Sequence, residues 1–180
     1  MTTTAKYYSL NLLDSEGCFV PFDNGAYHLA HGTKYKIMLT SGHPDRRANA
    51  TVYVDDAVIG VFRLSPGKQV IIERPEDQTR RLTFYKTDSA EGRAGCLTTH
   101  MGKIRVEVVT EGSERRAVVV ADSLECDGET GGTALSAASE QRFYNAPDMS
   151  VDMSTVCVLE ARMKIAPPPK RPVVMALSRT

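Results

Sequence analysis

Ala48-Asn-Ala-Thr-Val-Tyr-Val54, Asp55-Asp56, Ala57-Val-Ile-Gly-Val-Phe-Arg-Leu64, Ser65-Pro-Gly67, Lys68-Gln-Val-Ile-Ile-Glu-Arg-Pro75 and, after four polar residues, Arg80-Arg-Leu-Thr-Phe-Tyr-Lys86 form one continuous stretch. It reads as four strands separated by tight turns. Val52 and Val54 alternate with Thr51 and Tyr53, the period of a half-buried strand. Asp55-Asp56 takes the place of a hairpin turn, although Asp-Gly would suit the positive φ better. Gly60 interrupts the partner strand, as at a bulge or a close approach. Ser65-Pro66-Gly67 has turn chemistry, and Pro75 stops ladder pairing. The stretch sets the class as a compact antiparallel β protein.

The flanks repeat the pattern. Tyr8, Leu10 and Leu12 alternate with Ser9 and Asn11, and residues 14–17 (Asp-Ser-Glu-Gly) read as a turn. Cys18-Phe19-Val20 is a short extended piece, and Asn24-Gly25 is a tight-turn pair. Tyr35, Ile37 and Leu39 form one side of a strand that ends in the loop 41–45. Downstream, residues 87–102 read as a long loop. Ile104, Val106 and Val108 alternate with the solvent-facing Lys103, Arg105 and Glu107. Residues 111–116 read as a charged turn, and 117–121 are apolar and short. Residues 122–140 are small, polar and glycine-rich, which predicts a long functional loop. The last strand is expected over 156–165. Pro167, Pro168 and Pro169 force an extended tail, either an ordered arm on a neighbour or a frayed terminus. No amphipathic helix of convincing length and no βαβ rhythm occurs. The expected fold is all-β: an antiparallel β-sandwich, a single jelly roll of about eight strands with extended termini. Residues 1–166 form the sandwich and residues 167–180 a Pro-rich arm.

At 180 residues the chain is long enough to bury one sizeable core. Its 22 basic and 22 acidic residues cancel, so no bulk field draws it to nucleic acid or to an anionic membrane. Balanced charge also leaves self-association unopposed. The N-terminus has no apolar signal region, and no apolar run is long enough to span a bilayer. Cys18, Cys96, Cys126 and Cys157 stand singly, with no CxxC pair, and read as free thiols.

Chemistry-bearing residues are sparse. His28 and His31, near Asp23, are two potential ligands in a loop without a third at a diagnostic spacing. Cys96 and His100 are close in sequence only, which is poor support for a nucleophile and its base. Asp55, Asp56 and Glu73 sit at turns and strand ends, where exposed charge is ordinary, and Glu73 is expected to pair with a nearby arginine. Gly128, Gly131 and Gly132 lack the Lys-Ser/Thr of a phosphate cradle. The pairs Arg46-Arg47, Arg80-Arg81 and Arg115-Arg116 lie beside acids and read as solvated turns. Asn49-Ala50-Thr51 is a formal glycosylation sequon. No catalytic, cofactor-binding or metal-binding residue is expected, and the chain is not read as an enzyme. Cupin-like metal chemistry would need histidines on inward strand positions.

The block 53–67 with residues 71–75 and 80–85, together with Gly131-Gly-Thr-Ala-Leu-Ser-Ala-Ala-Ser-Glu-Gln-Arg-Phe143, resembles small β-rich proteins of nucleocytoplasmic large DNA viruses, icosahedral viruses of algae and amoebae. The resemblance covers roughly residues 35–143. Asp56 and Ala137 depart from it where glycine is expected. It implies a single jelly-roll capsid protein, most of all the penton that closes a fivefold vertex. The alternatives are a minor capsid protein beneath the major capsid lattice, or a β-sandwich module binding carbohydrate, against which the absence of Trp counts. It further implies a homopentamer and contacts with the major and minor capsid proteins, while the balanced charge and the lack of a long apolar run lead to the expectation of no nucleic acid and no membrane span. The location implied is the virion capsid, after synthesis in the host cytoplasm. The interface candidates are Tyr7, Tyr8, Pro167, Pro168, Pro169 and Arg171.

Overall fold

The computed structural model describes residues 3–95, 102–112, 119–120 and 131–167. In chain order the strands are β1 (Thr3–Ala5), β2 (Tyr8–Asp14), β3 (Phe22–Asp23), β4 (Ala26–Leu29), β5 (Thr33–Ser41), β6 (Ala48–Val54), β7 (Ala57–Leu64), β8 (Gln69–Ile72) and β9 (Arg80–Lys86). A short helix, α1 (Ala90–Gly95), comes next. The remaining strands are β10 (Lys103–Thr110), β11 (Val119–Val120), β12 (Gly131–Ala138) and β13 (Cys157–Ile165), with a 3-10 turn, Met153–Thr155, before the last.

Two sheets pack face to face. The first has the order β1-β2-β5-β9-β12, with β8 sharing an edge of β5 with β9. The second has the order β3-β4-β13-β10-β6-β7, with β11 also on β13. The links β5 to β6, β7 to β8, β9 to β10 and β12 to β13 each cross between sheets. The all-β sandwich expected from the sequence is present. Its strand order is more mixed than an all-antiparallel jelly roll, because β4 and β11 run parallel to β13. There are also thirteen strands among the described residues rather than about eight. The additional ones are mostly two- or three-residue pieces, too short to carry a period.

The core follows from alternation. Leu10, Leu12, Tyr35, Ile37 and Leu39 face inward from one sheet; Val52, Val54, Ile104, Val106, Leu159 and Met163 face inward from the other, all nearly inaccessible. Each such aliphatic side chain contributes about 1.5–3 kcal/mol by leaving water. Two tyrosines carry their hydroxyls into this layer and satisfy them there. Tyr27 donates to the Leu10 carbonyl at 2.8 Å, and Tyr35 pairs with the Thr133 hydroxyl.

The hairpin β6–β7 forms as its sequence predicts. Asp55 and Asp56 both have positive φ, 49° and 64°, which short polar side chains tolerate and which matches the twist of two-residue hairpins. Val52 faces Gly60 and Tyr53 faces Val58, so Ile59 is the extra residue of a bulge. The bulge keeps Ile59 in the core and turns Val58 and Val61 outward. Gly60 has φ +151°, and a Cβ there would lie 2.8 Å from the Phe62 ring, so no other residue fits without displacement.

Two sequence expectations are corrected. Residues 122–140 are not one long loop, because 131–138 form β12 against β9, with Thr133 opposite Phe84 and Leu135 opposite Leu82. Its residues are small and have weak strand preference; the strand exists because a paired neighbour and close packing select it. The loop 87–102 in turn contains α1, which packs on β12 and β9.

Residues 139–152, after β12, form a strap that runs from the β8 edge past β7 to the end of β10. The Gln141 side chain accepts from the Glu73 N–H at 2.8 Å and donates to the Ile71 carbonyl at 2.6 Å, occupying the edge of β8 as a strand would. Arg74 donates to the Gln141 carbonyl and lies 4.3 Å over the Phe143 ring, which packs on Phe62 of β7. The strap ends where the Gly112 N–H donates to the Ser150 carbonyl and Val151 bridges Glu111.

Candidate functional site

Asp55 is the most unusual polar residue. The sequence places it in an exposed turn, yet it is fully buried. Its own N–H donates to the Lys103 carbonyl at 2.8 Å, drawing the turn inward. Oδ1 accepts from the Lys103 N–H and Oδ2 from the Thr133 N–H, both at 2.9 Å, and the Gly102 N–H adds a third donor. Gly102 permits this approach: its φ is +81°, and a Cβ would lie 2.7 Å from the Gly131 and Met163 carbonyl oxygens. One carboxylate thus joins the β6–β7 turn and the start of β10, in one sheet, to β12 in the other. Burial outweighs the three N–H donors and pushes the carboxyl up to about 6, with Asp56 adding to the rise. Such a value would suit a general acid, but a carboxyl sealed from solvent meets no substrate. Its chemistry here is to fasten two sheets.

The remaining polar groups also hold strands together. Burial raises the Glu73 carboxyl, but Lys36 at 3.1 Å, Ser139 at 2.9 Å and Arg81 together outweigh it and leave the group lowered. The expected pairing of Glu73 with a nearby arginine is present at 3.9 Å, alongside the closer lysine. Arg47 clasps Glu111 across the β6 and β10 ends, with Nε to Oε2 at 3.1 Å, and so holds that carboxyl low. On the outer face of the second sheet Arg105 pairs with Glu107 and Glu160, and Lys103 with Glu160 at 3.3 Å.

The histidines do not converge. His28 lies on β4 rather than in a loop, with Nε2 3.3 Å from the Asp23 carbonyl. His31 accepts from the Lys86 N–H and meets the Tyr85 ring edge-on. Among the described residues no three His, Cys, Asp or Glu side chains gather as a metal site would need. Arg46-Arg47 and Arg80-Arg81 lie on different sheets' ends, and Arg47 and Arg81 each face a carboxylate. Cys96, His100, Cys126, Gly128, Arg115 and Arg116 lie outside the described residues. So do Pro168, Pro169 and Arg171. Among the described residues no helix is long and apolar enough to cross a membrane.

The interface candidates separate. Tyr7 is exposed at the β1–β2 turn, stacked edge-on against His43 at 4.7 Å with Lys6 over its ring. Its neighbour Tyr8 points the other way. It is buried, its hydroxyl is 3.0 Å from Thr110 Oγ1, and burial raises its phenol. Tyr8 is therefore a core residue of this chain and not a surface for a partner. Pro167 is exposed. Sequence reading missed the larger exposed apolar side chains: Phe19, Val58, Val61, Tyr144 and Met153. Val58 and Val61 were hidden by the bulge, which breaks the simple alternation that would assign their side.

No protein-family model, curated protein or solved structure matches this chain.

Proposed function

We propose that this chain is a structural shell subunit, the penton capsid protein at the fivefold vertex of a large icosahedral double-stranded DNA virus, located in the virion. The observation that supports it is the use made of the chain's chemistry. Asp55, Glu73, Arg74, Gln141 and Arg47 all spend their polar groups on tying strands, turns and the strap to one another. A shell subunit needs that rigidity and needs apolar contacts at its surface, which Phe19, Val58, Val61 and Tyr144 supply. The sequence resemblance supplies the viral context, and Tyr7, Pro167 and the C-terminal arm are the proposed contacts with neighbouring capsid proteins. The jelly-roll path belongs to the same proposal.

The test is the mass and symmetry of the purified protein by native mass spectrometry and particle averaging. A fivefold ring supports the penton reading. A strict monomer at all concentrations refutes it and favours a minor capsid protein that orders only within the lattice. A carbohydrate module would bind glycans without assembling and lose that binding on Tyr144→Ala.

A further inference from the structure

The loop between β5 and β6, residues 42–47, turns around one side-chain atom. Pro44 has no N–H to offer. The next two backbone N–H groups both point at Nδ1 of His43, Arg46 at 3.1 Å and, more loosely, Asp45 at 3.4 Å. A backbone N–H only donates, so this Nδ1 accepts, and the ring is then neutral with its proton on Nε2. The same Nδ1 lies 3.2 Å from Oδ1 of Asp45. A carboxylate only accepts, so that contact calls for a proton on Nδ1.

One atom cannot serve both partners. With the ring neutral, the Arg46 N–H is satisfied and two lone pairs face each other at Asp45. With the ring charged, the ion pair forms and N–H faces N–H at Arg46. The His43 side chain is 13% exposed and that of Asp45 73%, so water can serve the carboxylate in the first state far better than it can repair the Arg46 contact in the second. The charged and titratable groups around the ring are Asp45 and Arg46 in its own loop and Lys6 and Tyr7 in the β1–β2 turn. Arg46 also acts on Asp152, and Lys6 on Cys157 of β13. The β7–β8 turn meets this loop through backbone, with the Lys68 carbonyl on the Ser41 N–H at 2.9 Å.

We propose that His43 is a pH-operated switch of the β5–β6 loop: the neutral ring holds the Arg46 N–H, and the protonated ring releases it and takes the Asp45 carboxylate. Histidine is the side chain whose charge changes between about pH 5 and pH 8, which sets the range of the test. The exchange reaches past the loop. The Gly42 N–H donates to the Tyr7 carbonyl at 2.6 Å, and the His43 ring meets the Tyr7 ring edge-on at 4.7 Å. The Lys6 ammonium lies 5.2 Å from the centre of that same ring. A charged imidazole sets a second cation beside Tyr7, and the two repel. Tyr7 is exposed, so acid alters the surface that the β1–β2 turn presents. The switch lies beyond the shell-subunit reading, because it is built within one chain and operates in any assembly state that leaves the loop in place.

The test is nitrogen NMR of the whole chain between about pH 8 and pH 5, wild type beside His43→Asn and Asp45→Asn. At the upper end the expected wild type has His43 protonated on Nε2 alone and an Arg46 amide proton shifted downfield by its bond. On acidification Nδ1 gains its proton, and the Arg46 amide moves upfield along the same curve. An asparagine side chain accepts from the same N–H groups without titrating, so in His43→Asn the Arg46 amide is expected to stay in place. In Asp45→Asn the His43 transition is expected at lower pH, since the imidazolium has lost its counter-ion. A ring protonated on Nδ1 at the upper pH overturns the proposal. So does an Arg46 amide that holds its position while the ring titrates, or one that still moves in His43→Asn. A transition left unmoved by Asp45→Asn overturns it as well, by showing that the carboxylate is no partner of the charged ring.

Discussion

Replacing Asp55 by Asn separates the two forces acting on the buried turn. The carboxylate offers one oxygen to the Lys103 N–H and the other to the Thr133 N–H. An amide offers one oxygen and one NH2, so a donor faces a donor and one buried N–H loses its acceptor, at about 1–3 kcal/mol. Against this stands the charge itself. The folded carboxyl at about 6 lies above the ordinary 3.8, so the folded state holds its proton more tightly than the unfolded chain. Asp55 therefore adds stability in full below pH 3.8, and loses it as the pH rises through about 6. Between pH 4.5 and pH 7.5 the loss is about 2 kcal/mol. Asn carries no charge and has no such dependence. The expected result is that the cost of Asp55→Asn, relative to wild type at the same pH, is about 2 kcal/mol lower at pH 7.5 than at pH 4.5, where the folded wild-type acid is itself protonated. Urea unfolding of both proteins at the two pH values measures it. If the variant costs as much or more at pH 7.5, the three N–H donors outweigh burial and the reasoning about this turn is wrong.

Other perturbations reach different parts of the molecule. Gly131→Ala places a Cβ 2.1 Å from the Phe84 ring and is expected to lower stability by about 1–3 kcal/mol, read as a shift in the thermal midpoint. Gln141→Ala removes both bonds that plug β8. It should cost about 1–2 kcal/mol and make residues 142–148 the first site of limited proteolysis, whereas an unchanged cleavage pattern would mean the strap is held elsewhere. Glu73→Gln removes a carboxylate whose folded value is lowered, so its contribution is present above the ordinary range and lost as pH falls. The variant should lose about 0.5–1 kcal/mol at neutral pH and show a shallower decline in acid, the opposite limb from Asp55.

The sandwich was legible wherever large apolar residues alternate over five residues or more. Leu10 and Leu12, Tyr35 to Leu39, Val52 and Val54, and Ile104 to Val108 announce β2, β5, β6 and β10, and Gly60 announces its bulge. Illegible parts depend on distant neighbours. Gly131 to Ala138 has no periodicity, and it is a strand because Phe84 and Leu82 lie opposite. Asp55 looks like any turn acid. Its burial follows from Gly102 and Thr133, which approach from 47 and 78 residues away in the chain. The strap is hidden for the same reason, since Gln141 gains its role from Ile71 and Glu73. Tyr7 and Tyr8 are alike in type, and only the strand phase tells the surface residue from the core one.

The seam between β4 and β13 joins residues at opposite ends of the chain, with Arg162 beside Ala26 and Ile165 beside Leu29. A ribosome delivers the first of these strands long before the second, at roughly 5–20 residues per second. Throughout that interval β4 and its β3 partner have no place in the second sheet, although β6, β7 and β10 can already pair. Closure of this seam is thus a late event that waits for residues 162–165, and pairings so remote in sequence are intrinsically slow. A ribosome stalled before residue 157 would leave β3 and β4, made more than a hundred residues earlier, without a seat.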